Sequence, residues 1–204
     1  MFVVARLKFG RSQHVHKKVD LFAEFHRFMH RLKVYGPAAR TLVFAVALTL
    51  AGGLCAAAAP NGETVNAIRC DPAEQVAFHI HQHLAIWDRG KPVGIPSDVG
   101  RPVLANCIYW LHTHTPDGII HVESPTFRNY TLGDFFSVWG QPLSRSRAAT
   151  AIAGPGETMR IWVNGDPYSG DPRKIELAQH TDVTIEIGPP WKLPVTRFTG
   201  WQGL

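Results

Sequence analysis

The sequence predicts a mainly β domain, a sandwich or small barrel carrying one short helix. Three observations lead there. Val76 to Trp87 (VAFHIHQHLAIW) alternates with period two and is rich in aromatic and branched residues, the pattern of a strand. Thr115-Pro116-Asp117-Gly118 sets Pro and Gly between two β-rich runs, which is hairpin chemistry. Only Thr131 to Trp139 (TLGDFFSVW) reads as a convincing helix.

Taken in order, residues 60–75 are polar and contain Pro, an irregular segment tied down by Cys70. The strand over Val76 to Trp87 runs into a turn at Asp88-Arg89-Gly90-Lys91 and a short edge strand over Pro92 to Pro96. Cys107 to Ser124 forms the hairpin. In the helix, Thr131 can cap the first turn with Asp134 three residues on, while Leu132, Phe135, Phe136 and Trp139 share a face. Gly140 and Pro142 stop it. Thr158 to Asn164 and Asp182 to Ile187 are further strands. Ile86-Trp87-x-x-Gly90-x-Pro92 is echoed by Ile161-Trp162-x-x-Gly165-x-Pro167, which two hairpins of similar turn chemistry explain.

The chain has 204 residues and a formal charge of +5, which taken whole suggests an anionic partner. That charge is unevenly spread. Nine of the 21 basic residues but only two of the 16 acidic ones precede Thr41. An uncharged stretch, Leu42 to Leu54, follows, and then Ala56 to Ala59. A basic region, an apolar stretch and an A-x-A site describe a cleavable signal peptide over residues 1–59, with cleavage after Ala58 and a plausible true start at Met29. An uncleaved anchor is the alternative, since Thr41 to Ala59 is just long enough to cross a bilayer. The remainder, one domain over residues 60–204, keeps 12 basic and 14 acidic residues, a charge of −2. Nucleic-acid binding then loses its support, and a periplasmic or secreted protein without stable membrane insertion is expected. Cys70 and Cys107, exported together, read as one disulfide. Closing that loop is worth roughly 3–4 kcal/mol in the chain-entropy account.

Composition excludes several classes. A hydrophobic fraction of 45% with 18% charged residues excludes a disordered chain. The 18 Gly and 15 Pro follow no G-X-Y period, which excludes collagen. No G-x-S-x-G, Walker or dinucleotide glycine pattern is present. The six Trp residues read as packing residues rather than a carbohydrate platform.

The histidines carry the chemistry. Six of the seven in residues 60–204 lie in two short segments: His79, His81 and His83, then His112, His114 and His121. Period two puts the first three on one face of a strand. With residues 115–118 as the loop, His112 faces His121 and Trp110 faces Glu123, so His112, His114, His121 and Glu123 share one face of the hairpin. Neutral imidazoles gathered on a sheet face can chelate Zn, Cu, Ni or non-haem Fe. Copper or zinc suits an all-imidazole set, because both cysteines are expected to be bonded and only Met159 remains as a soft ligand. One metal site is expected, drawn from His79, His81, His83, His112, His114 and His121. His180, at a strand entry, reads as a turn residue.

Two function classes stay open. One is a metal-binding protein of the envelope, for carriage, storage or sensing. The other is a metalloenzyme of hydrolytic or oxidative chemistry, with Glu123 or Asp117 as general base. Metal coordination number separates them.

Trp110-Leu111-His112-Thr113-His114-x-x-x-Gly118-x-Ile120-His121-x-Glu123-x-Pro125, followed by Thr131-Leu132-Gly133-x-x-Phe136-x-x-Trp139-Gly140, resembles a family of small exported bacterial proteins with no established activity. The resemblance covers most of residues 60–204. It implies an exported single domain and no particular reaction. A looser likeness is to cupins, whose metal site also uses H-x-H, a glutamate and a distant histidine on strands. Here Glu123 follows His114 by nine residues, about twice the cupin interval, so the cupin likeness is an analogy.

Overall fold

The computed structural model describes residues 59–192 and 196–204. The expected signal peptide, with its cleavage point after Ala58, lies outside the described residues.

The protein is mainly β, with twelve strands in three sheets and one α-helix among the described residues. In chain order the strands are β1 (Cys70–Asp71), β2 (Phe78–Asp88), β3 (Lys91–Val93), β4 (Ile108–Tyr109), β5 (Leu111–His112) and β6 (Ile119–Ser124). After helix α1 (Leu132–Trp139) come β7 (Leu143–Ser144), β8 (Arg147–Ala148), β9 (Ala151–Ile152), β10 (Thr158–Val163), β11 (Asp166–Pro167) and β12 (Asp182–Gly188). The large sheet runs β11-β10-β12-β2-β6-β5, with β3 also on β2, and it does not close into a barrel. Strands β7, β8 and β9 form a second sheet, and β1 pairs with β4. The arrangement is sandwich-like: α1 lies against β5, and β9 against β2, so the helix and the small sheet cover one face of the large one.

That face is the core. Period two sends Ile80, Leu84 and Ile86 of β2 to it, with Leu111, Ile120, Val122, Val183, Ile185 and Ile187 from neighbouring strands. Leu132, Phe135, Phe136 and Val138 of α1 complete the cluster. Burying side chains of this size contributes roughly 1.5–3 kcal/mol each, so the apolar face dictates which side of β2 turns outward. Thr131 caps α1 as its sequence predicts: its hydroxyl accepts from Asp134 N, and the Asp134 carboxylate accepts from Thr131 N. Gly140 ends the helix in the left-handed conformation.

The two echoed segments are two hairpins. Arg89-Gly90 and Asn164-Gly165 both have positive φ at their two central residues, the backbone of the tight turns that match strand twist. Trp87 pairs with Pro92 and Trp162 with Pro167. Both long strands flank β12, where Ile86 and Ile161 stand in register with Ile185.

Several boundaries move. The first long strand is Phe78–Asp88, and its hairpin partner is Lys91–Val93 rather than residues 92–96. The run from Cys107 breaks at Trp110, because the disulfide between Cys70 and Cys107 brings β1 alongside and draws β4 out of the large sheet. Trp110 is held at the break, its Nε1 donating to Asp71 Oδ2 at 2.8 Å. None of the six Trp residues is fully buried; Ile, Leu, Phe and Tyr fill the core instead.

Candidate metal centre

The side of β2 that faces away from the core carries His79, His81 and His83. Register supplies their neighbours. Strand β6 places Glu123 opposite His79, His121 opposite His81 and Ile119 opposite His83. On the far side of β6, His112 of β5 also stands opposite His121. Three strands thus put His81, His121 and His112 in one cross-strand row, with His79 and Glu123 one step along. Directly opposed side chains on adjacent strands have Cβ atoms about 4.5–5.5 Å apart, within reach of a shared ion.

The turn between β5 and β6 sets this register. Gly118 has φ +83°, and a Cβ there would press into the Leu84 carbonyl oxygen. Its own carbonyl accepts from Leu84 N at 2.9 Å. Asp117 closes the turn by accepting from Ile119 N at 3.0 Å, and it stands in neither ligand group of the cluster.

His114 lies just beyond β5, and its ring turns back so that Nε2 is 3.2 Å from His112 Nε2. His79 Nε2 and His81 Nε2 are 3.0 Å apart. Glu123 Oε1 stands 3.2 Å from His79 Nε2, 3.4 Å from His121 Nδ1 and 3.8 Å from His112 Nε2. Two nitrogens held at about 2.0–2.1 Å on a tetrahedral ion are roughly 3.3–3.4 Å apart, so these are ligand-edge spacings. His112, His114, His121 and Glu123 offer ligand atoms within 4.8 Å of one another, and so do His79, His81 and His121.

Burial favours the neutral form of His81, His112 and His121. Burial lowers His112 to about 3, overriding the Tyr109 carbonyl's pull in the other direction, with His121 and His114 adding to the fall. Burial likewise takes His121 to about 3, helped by His114, His81 and His79. His81 is lowered by burial and by His79. Burial, with Glu74 nearby, raises Glu123 to about 7. His112 Nδ1 lies 3.0 Å from the Tyr109 carbonyl oxygen, which can only accept. The ring proton is therefore on Nδ1, and the Nε2 lone pair points into the cluster. His81 Nδ1 and His121 Nδ1 are buried without a hydrogen-bond partner among the described residues.

The structure gathers five of the six histidines expected to bind metal and leaves His83 out. His83 Nδ1 is 2.8 Å from Asp182 Oδ1, and its ring stacks on Phe198 at 4.1 Å. His180 is a turn residue as expected, with φ 61°, its amide donating to His81 O and its ring stacked on Trp201. The expected Cys70–Cys107 disulfide is present.

One neighbour escaped the sequence. Glu74 Oε1 is 3.6 Å from His114 Nε2, at the exposed rim. It lies in the irregular stretch between β1 and β2, where no periodicity assigns it a face.

Fold and site together define a mainly β protein with a buried histidine–glutamate cluster that could hold a metal ion. Compared with known proteins, the chain matches no protein family, no curated protein and no solved structure. Among the described residues, no helix is long and apolar enough to cross a membrane.

Proposed function

We propose that this is an exported metal-binding protein that uses the cluster to bind copper or zinc, for carriage, storage or sensing in the periplasm or outside the cell. The observation that carries the reading is the convergence of His112, His114, His121 and Glu123, with ligand atoms within 4.8 Å of one another. Neutral imidazoles with one carboxylate suit Zn(II) and Cu(II), and the two cysteines of the described domain are tied up in a disulfide. The basic, apolar leader supports export, as does the resemblance of the W-L-H-T-H-x-x-x-G-x-I-H-x-E-x-P motif to small exported bacterial proteins. Glu123 lies 3.2–3.8 Å from three imidazole nitrogens, which suits a ligand better than a free general base.

The test is metal analysis of untagged protein beside a His112→Ala/His114→Ala variant, each reconstituted with Cu(II) and with Zn(II) and then dialysed. Wild type should retain metal and the variant should lose it. If both come out empty, the reading is wrong.

A further inference from the structure

We propose that the cluster holds two metal ions side by side rather than one, bridged by Glu123, with His121 placed to complete the shell of one of them. This rests on the metal-binding reading above and goes past it in stoichiometry and geometry. The first argument is the number of donors. One tetrahedral ion takes four ligands, and a catalytic or transport site often leaves one position open. Here five imidazoles and a carboxylate converge.

The second argument is how they divide. The donors fall into two sets, His112, His114, His121 and Glu123 in one, and His79, His81 and His121 in the other, with His121 alone in common. Each set contains its own H-x-H nitrogen pair at ligand-edge spacing, 3.2 Å for His112 and His114 and 3.0 Å for His79 and His81. The two pairs flank β6 from opposite sides, His79 and His81 on β2, His112 on β5 with His114 just beyond its end. The His121 ring centroid is 4.5 Å from that of His81 on one side and 4.4 Å from that of His114 on the other.

The third argument is the bridge. Glu123 Oε1 belongs with the His112 set yet lies closest to His79 Nε2 of the other, at 3.2 Å. A carboxylate reaching both sets can span ions about 3.5–4 Å apart, the spacing of two-metal centres.

The two positions differ in exposure. His112 is fully buried and the Glu123 side chain only 5% exposed, whereas the His79 side chain is 43% exposed. The inner ion rests against these buried groups, with half-buried His114 at its outward edge. The outer ion faces solvent, where water or a small anion completes its shell, and it exchanges first.

The experiment is titration of metal-free, untagged protein with Zn(II), and separately with Cu(II), followed by dialysis and metal analysis, for wild type and His79→Ala/His81→Ala. Wild type should retain about two ions per chain and the variant about one. Fully loaded Cu(II) protein should show less paramagnetic resonance intensity than its total copper, because two bridged Cu(II) ions couple. Saturation of wild type at one ion overturns this proposal and leaves the metal-binding reading intact. Retention of none overturns both. Two ions on a folded variant would place the second ion elsewhere and overturn the assignment. The wild-type stoichiometry decides the matter even if the variant does not fold.

Discussion

Strand β2 carries the same residue at the same period three times, and its two halves put it to different ends. In the first half, β6 is the neighbour, and His79 and His81 meet Glu123 and His121. At His83 the neighbour on the other side becomes β12, which brings Asp182, and the ring is hydrogen-bonded to that carboxylate and stacked on Phe198. Beyond that point the same face carries Ala85 and Trp87, in register with Thr184 and Glu186 of β12. A histidine on a strand thus joins the histidine–glutamate cluster or becomes a structural residue according to the strand that registers beside it. The imidazole itself does not distinguish the two outcomes.

Substitution breaks this comparison most sharply. His121→Ala removes the one ring common to both ligand sets, and metal affinity should fall by at least about a hundredfold in isothermal titration with Zn(II). His83→Ala should leave metal retention unchanged. It should instead cost about 1–2 kcal/mol in denaturant unfolding, because buried Asp182 loses a partner. Loss of metal from folded His83→Ala protein would show that the two halves of β2 are not separate.

Acid sharpens the same contrast in the metal-free protein. Burial holds His112 and His121 at about 3, against 6.5 for an ordinary imidazole. As pH falls below 6.5 the unfolded chain takes up two protons that the folded protein refuses, so stability falls. Glu123 works the other way. Held at about 7 instead of 4.5, it keeps a proton between those values that the unfolded chain has lost, so its contribution rises on acidification. Two groups against one leave a net loss, and Tm should be roughly 5 °C lower at pH 5 than at pH 7. A Tm that rises over that interval would mean the cluster imidazoles are not held neutral.

The smallest effect is expected away from either half of β2. Thr131→Ala removes the N-cap of α1 and should cost about 1 kcal/mol in thermal or denaturant unfolding. Metal retention should not change, since α1 packs on the opposite face of the sheet. A fall in metal content would show that the core face and the histidine face are coupled.

Much of this protein can be read from its chain. Alternation in FHIHQHLAIW marks β2 and both its faces, because a pleated strand leaves no other outlet for a period of two. The Pro-Asp-Gly turn fixes the parity that sets His112 opposite His121, and Thr131 with Asp134 announces the helix start. Short strands such as β7, β8 and β9 were not legible, since two residues carry no period. Glu74 was hidden for the same reason.

By itself the sequence determined a β-rich fold, the disulfide partners, the helix over Leu132–Trp139 and the face on which each histidine stands, because these follow from local periodicity and from pairing across one short turn. Only the tertiary structure decided that β2 and β5 flank β6 from opposite sides, that Glu123 reaches both histidine pairs, and that Asp182 takes His83 away. Those outcomes depend on pairing between strands as far apart in the chain as β2 and β12. Such pairing is chosen by how the apolar faces pack together, and those faces lie on the opposite side of the sheet from the histidine cluster.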